Sequence, residues 1–171
     1  MTDLLLVRHG ETDWNAEGRL QGHTDRPLSD YGRGQARRLA GDLQGEEFEA
    51  IYASDLARAH ETAEILGERL GLPVVLDPDL REKDWGNWEG LTAVERDRVE
   101  FVGESTAAHA ERTLGALRRI AGRHPSGRVL VVTHGGSMRR AQTEVLGLAL
   151  PVVENCGRWL CAWDNGSLRA R

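Results

Sequence analysis

The chain has 171 residues, with 22 lysines and arginines against 27 aspartates and glutamates, a formal net charge of -5. That length suits one domain with a substantial core, and the acidic balance gives no footprint for nucleic acid or an anionic membrane surface. No apolar run approaches the roughly 20 residues of a membrane-spanning helix, and the first residues lack a basic stretch followed by a long apolar core, so a cytoplasmic protein without a membrane partner is expected.

The first element is LLLVRHGET, residues 4–12, an apolar strand that stops at Arg8, His9 and Gly10. A long polar loop over 8–28 follows. In SDYGRGQARRLAGDL, Ser29 can cap a helix whose apolar stripe is Ala36, Leu39, Ala40 and Leu43. FEAIYAS reads as a second strand, after which Ser54 or Asp55 caps a helix running to Gly71 with Ala59, Ala63, Leu66 and Leu70 on one face. PVVL is a short third strand, and DPDLREKDWGNWEG is read as a loop without regular structure.

From Ala107 to Arg123, the spacing of Ala110, Leu114, Leu117 and Ala121 predicts an amphipathic helix ended by Pro125. The strand RVLVVT leads into HGGS, repeating the His-Gly ending of the first strand at His134 and Gly135. A helix from about Ser137 to Leu146, and then RWLCAW, the turn DNGS and LRAR as a β-hairpin, complete the chain. Strands alternate with helices, which predicts a three-layer α/β/α sandwich with a mostly parallel central sheet, one domain over 1–171. Cys156 and Cys161, the only cysteines, lie an odd number of positions apart in what reads as one strand, so no disulfide and no zinc knuckle is expected.

In open α/β sheets, ligands bind at the carboxyl ends of the strands. If the two His-Gly strands lie side by side, they carry His9 and His134 to one site. Arg8, His9, Arg58, Glu82 and His134 then supply the parts for metal-free phosphoryl transfer. Two guanidiniums, Arg8 and Arg58, can hold a phosphate bidentately. A neutral imidazole, His9, can attack phosphorus. A carboxyl group can protonate the leaving alkoxide and later take a proton from water. The charge run Arg81-Glu82-Lys83-Asp84 offers two such carboxyls, Glu82 and Asp84, and spacing does not separate them. Backbone N–H groups at Gly135 and Gly136, at a helix start, favour an anion, with His134 as a further donor. Trp14, Trp85 and Trp88 can line the pocket, but large aromatics more often fill core or loop-packing space, which is the first reading. His23, His60, His109 and His124 receive no role, and His23 and His60 are expected at the surface.

LLLVRHGETDWNAEGRLQGHTDRPLSDYGRGQA resembles the N-terminal signature of the histidine phosphatase superfamily, which includes the cofactor-dependent phosphoglycerate mutases. SDLARAHETA, LREKDWGNWEG and VVTHGGSMR resemble its later motifs in order. The resemblance spans nearly the whole chain. It implies a phosphoglycerate mutase-like fold, adjacent His-Gly strands, a phosphohistidine at His9 and phosphate binding by Arg8, Arg58 and His134. It also implies proton transfer by Glu82, which selects it over Asp84, and a phosphate pocket lined by Thr12, Asn15, Gln21, Gly22 and Gly135.

Between Gly90 and Gly103 the chain has only LTAVERDRVEFV, where relatives carry a longer lid. A mutase must exclude water from its phosphohistidine, so a short lid favours hydrolysis. The expected activity is a metal-independent phosphomonoesterase acting on a small phosphorylated metabolite, with no cofactor and no metal. Mutase activity is the alternative; the resemblance implies adjacent lid arginines for a mutase, and Arg96 and Arg98 are present but not adjacent. A non-catalytic phosphate-binding module is a third reading, and a metal site on the two histidines is disfavoured by the flanking arginines. An exposed tryptophan beside the short segment would offer a homodimer contact.

Overall fold

Strands β1 (Thr2–Arg8), β2 (Ala50–Ala53), β3 (Val74–Leu76), β4 (Arg128–Thr133), β5 (Arg158–Asp164) and β6 (Ser167–Ala170) form one sheet in the computed structural model, which describes residues 1–148 and 150–171. The sheet order is β3-β2-β4-β1-β5-β6. The first four positions are parallel, while β5 runs antiparallel to β1 and β6 antiparallel to β5. The predicted hairpin forms at Asn165-Gly166, both at positive φ, which matches the right-handed twist of the flanking strands.

Alternation along β1 builds both halves of the core. Leu4 and Leu6 face Leu117, Ile120 and Met138 on one side of the sheet. Leu5 and Val7 face Leu39, Leu66 and Ala59 on the other. Helices α2 (Asp30–Asp42) and α3 (Ala57–Leu70) therefore cover one face, and α5 (Thr106–Arg123) and α6 (Gly135–Leu146) cover the opposite one. Each fully buried leucine contributes about 1.5–3 kcal/mol through removal of apolar surface from water.

Several local expectations are corrected. The loop 8–28 contains a one-turn helix, α1 (Asp13–Ala16), closed by a capping box between Thr12 and Asn15. The charged loop after β3 contains two 3-10 turns, Pro78–Leu80 and Gly86–Trp88, and the short segment beyond it contains α4 (Ala93–Arg96). Neither Ser54 nor Asp55 caps α3. Its first N–H groups lie beyond Leu56, and the Ala57 N–H donates to Asp25 Oδ1 at 2.8 Å. Ser54 and Asp55 have other partners, His134 and Arg81. The buried face of α5 is rotated by about one position, because His109 and Thr113 join Ala116, Leu117, Ile120 and Ala121, while Ala110 and Leu114 are only half-buried. Helix α6 starts at Gly135, two residues before the expected start, with His134 as its N-cap. Cys156 lies in a turn at φ 57 before β5, not in the strand with Cys161, and both thiols are free.

Candidate active site

Strands β1 and β4 are parallel neighbours with Arg8 opposite Thr133, so the next residue of each, His9 and His134, leaves the sheet at the same level. Their ring centroids are 5.1 Å apart. His9 Nδ1 lies 2.6 Å from the Gly10 carbonyl, which only accepts, so that nitrogen carries the proton and the Nε2 lone pair is free. His134 Nε2 lies 2.9 Å from Ser54 Oγ, while its Nδ1 is buried without a protein partner. Burial, with help from the Arg58 and Arg8 charges, pushes His9 well below the ordinary histidine pKa. Burial, then the charge of Arg58 and the neighbouring His9 and Arg8, do the same to His134. Both rings are neutral at pH 7.

Arg58 sits in the first turn of α3 and is 1% exposed. A buried cation at a helix start is disfavoured by the dipole and by desolvation, so other contacts must hold it. Its Nη2 donates to the Gly22 carbonyl at 2.7 Å and its Nη1 to the Thr24 carbonyl at 3.2 Å, leaving Nε without a partner. Burial pulls this guanidinium down to about 10, still fully charged at neutral pH. The 22–24 loop is itself held by Glu89, whose carboxylate accepts from the His23 N–H at 2.8 Å, the Thr24 N–H at 2.9 Å and the Thr24 hydroxyl. Gly22, at φ +54, lets the loop come this close, since a Cβ there would lie 2.0 Å from Glu89 Oε1. Arg8 Nη1 donates to the Val153 carbonyl at 2.7 Å, and its Nε is also buried and unpartnered.

Glu82 lines the same cleft as His9, from the loop after the first 3-10 turn. Its Oε2 accepts from the Gly136 N–H at 2.9 Å and its Oε1 from the Lys83 N–H at 2.8 Å. A Cβ at position 136 would lie 2.2 Å from Oε1, so the glycine makes room for the carboxyl. Its backbone is clamped as well. The Glu82 carbonyl accepts from Arg112 at 3.1 Å and contacts His23 Nε2 at 2.9 Å, while Arg112 forms a two-pronged pair with Glu104. Beneath the carboxyl, His109 Nε2 lies 3.0 Å from Ser137 Oγ and 3.8 Å from Glu82 Oε1.

These groups surround a cleft of about 220 Å³. Of the residues expected there, Arg8, His9, Arg58, Glu82, Asn15, Gln21, Gly22 and Gly135 line it. His134 stands beside His9. Thr12 lies behind the wall, fully buried, donating to Gln21 Oε1 at 2.7 Å and capping Asn15. Asp84, the other acid of the charge run, takes up the Gly86 N–H instead and is not part of the lining. Trp85 lines the cleft, the second of its two readings, and stacks with Trp88 at a 6.1 Å centroid separation.

Sequence reasoning missed Lys83, His109, Arg139 and Arg140, which also face the cleft. It also missed Glu89, Arg112 and Asn155, which hold its backbone; Asn155 Nδ2 donates to the His9 carbonyl at 3.0 Å. His23 is half-buried against Glu82, not at the surface. The signal for His109 was available, because it lies four residues before Thr113 and eight before Leu117 on the buried face of α5. Around one carboxyl group the cleft gathers unpartnered guanidinium and imidazole donors, which suits a dianion. Among the described residues no group of three or more His, Cys, Asp or Glu could hold a metal. No helix described here is long and apolar enough to cross a membrane.

The family model described as histidine phosphatase superfamily (branch 1) matches residues 4–168. Phosphoglycerate mutase-like protein 4 of Arabidopsis thaliana is 40% identical over 156 residues, covering 80% of this chain and 68% of its own. Metal-independent phosphoserine phosphatase of the same plant is 39% identical over 158 residues, covering 81% and 66%. The solved structure of a mycobacterial glucosyl-3-phosphoglycerate phosphatase superposes with a TM-score of 0.88 at 32% identity, over 99% of this chain and 95% of that one.

Proposed function

The chain belongs to the histidine phosphatase superfamily and is a phosphomonoesterase, and from that premise we propose that it hydrolyses small phosphorylated metabolites through a phosphohistidine at His9. The observation that carries the proposal is the free Nε2 lone pair of a neutral His9, oriented by the Gly10 carbonyl and flanked by Arg8 and Arg58. In the first step Nε2 attacks phosphorus, the N–P bond forms as the P–O bond to the alcohol breaks, and Glu82 gives the departing alkoxide its proton. In the second step water attacks the phosphohistidine, Glu82 takes its proton, and inorganic phosphate leaves with neutral His9 restored. Arg8, Arg58, His134 Nδ1 and the Gly135 N–H at the start of α6 hold the phosphoryl oxygens, whose negative charge shifts in the transition state. Asn15, Gln21, Gly22 and Gly135 complete the pocket, and Thr12 sets Asn15 and Gln21 in place.

Hydrolysis is preferred over mutase chemistry because the segment over 91–104 is short. Its Arg96 stacks 5.6 Å above Trp88 and does not line the cleft, so it is not placed to grip a substrate. The test is phosphate release from a panel of phosphate monoesters in excess chelator, with a parallel isomerisation assay on 3-phosphoglycerate. Release that is insensitive to chelator and abolished in His9→Ala is expected. Isomerisation without release would establish a mutase, and neither activity would leave a phosphate-binding module.

A further inference from the structure

The charges in the cleft exceed what one phosphoryl group requires. Six cationic side chains line it, Arg8, Arg19, Arg58, Lys83, Arg139 and Arg140, against a single acid, Glu82. Arg8 and Arg58 are taken up by the phosphoryl group in the proposed reaction. Arg19 is already neutralised, with Glu17 at 2.7 Å and Glu95 at 3.6 Å. That leaves Lys83, Arg139 and Arg140, three cations beside the one carboxyl group of Glu82.

None of these three has a carboxylate ion-pair partner among the described residues. The Lys83 ammonium is packed over the Trp85 ring at 4.4 Å and the Phe101 ring at 4.5 Å, with only a long contact of 3.4 Å to Thr106 Oγ1. The nearby acid, Glu104, is occupied by Arg112 at 2.9 Å. Arg139 and Arg140 have no ion-pair partner among the described residues, and the Arg139 Nε is buried without any hydrogen-bond partner. Burial disfavours the charged form of Lys83, and Arg140 adds to this while Glu104 and Glu82 oppose it. Lys83 is buried, and Arg139 and Arg140 stand half-buried on the same cleft, so together they make a positive rim that an anionic group would meet.

We propose that Lys83, Arg139 and Arg140 form a second anion subsite, so that the preferred substrates carry a further anionic group, a carboxylate or another phosphate, on the leaving alcohol. The inference rests on the phosphatase reading of the same cleft. It assigns selection to one rim of the cleft, made by the residue after Glu82 and the first turns of α6, and not to the short segment over 91–104.

The experiment compares kcat/KM for ester pairs that differ in that group: 3-phosphoglycerate against glycerol 3-phosphate, phosphoserine against phosphoethanolamine, and fructose 1,6-bisphosphate against fructose 6-phosphate. At least one anionic member is expected to exceed its partner by tenfold or more, and which pair does so identifies the group. In Arg140→Gln and Lys83→Met, checked for folding by circular dichroism, that ratio is expected to fall at least tenfold. Equal kcat/KM within every pair, with both members hydrolysed, would overturn the subsite and leave the phosphatase intact. A preference that survives both substitutions would overturn its assignment to these residues. Absence of hydrolysis of every ester would instead refute the phosphatase reading on which the subsite rests.

Discussion

Replacing Gly136 by Ala probes the proposed acid without touching it. The new Cβ would lie 2.2 Å from Glu82 Oε1, 2.9 Å from its Cδ and 3.0 Å from Oε2, so the whole carboxyl group must move away. The 2.9 Å hydrogen bond from the Gly136 N–H is lost with it. A hydrogen bond to a charged group contributes about 1.5–3 kcal/mol, and a displaced general acid forfeits about 10²–10⁴-fold in rate. The expected loss in kcat is therefore about 10²-fold or more for alkyl phosphates, whose alkoxides need a proton. A nitrophenolate leaves without one, so p-nitrophenyl phosphate should lose much less in the first step. Rapid-quench kinetics on both esters separates these effects. Glu82→Gln should lose a similar factor, and the double variant should lose little more, because the two changes remove one interaction. Alkyl-ester turnover within twofold of native in a folded Gly136→Ala protein would refute the role of Glu82 and the reason for the glycine.

Three further outcomes follow from the same structure. Glu89→Ala releases the 22–24 loop that orients Arg58, and it is expected to raise the inhibition constant of inorganic phosphate about tenfold, or ~1.4 kcal/mol, measured by inhibition of ester hydrolysis. His9, His109 and His134 are buried with lowered pKa values, so the unfolded chain binds more protons than the folded one below about pH 6.5; stability falls as pH drops, by up to ~1.4 kcal/mol per unit for each histidine. Urea midpoints at pH 7.5, 6.0 and 5.0 check this, and a flat profile would contradict it. Leu66→Ala, at a fully buried position on α3, should cost about 2–5 kcal/mol in urea unfolding while leaving kcat per folded molecule near native.

The regular scaffold was legible wherever apolar periodicity was unbroken. Strands β1 and β4 and the stripe of α2 read directly, and their His-Gly endings pointed to the carboxyl edge of the sheet. What failed were positions where a polar residue occupies a buried face for a reason supplied by a distant segment. His109 interrupts the stripe of α5 because Ser137 and Glu82 lie opposite it. Ser54, which reads as a helix cap, turns toward His134, and the cap comes from Asp25, 32 residues earlier. Lys83 read only as part of a charge run because its partners, the Trp85 and Phe101 rings, are brought up only by the tertiary fold. Local propensity carries no information about such pairings, whereas the motif resemblance singled out Glu82 within the same charge run.

The central claim is most directly tested by trapping the intermediate. Native protein mixed with an alkyl phosphate ester, quenched in alkali within the first turnover and digested, should yield a phosphorylated peptide in which fragmentation places the phosphoryl group on His9, acid-labile as a phosphohistidine is. The His9→Ala protein should yield none. Steady turnover by the native protein with no phosphohistidine, or with the phosphoryl group on His134, would contradict the account.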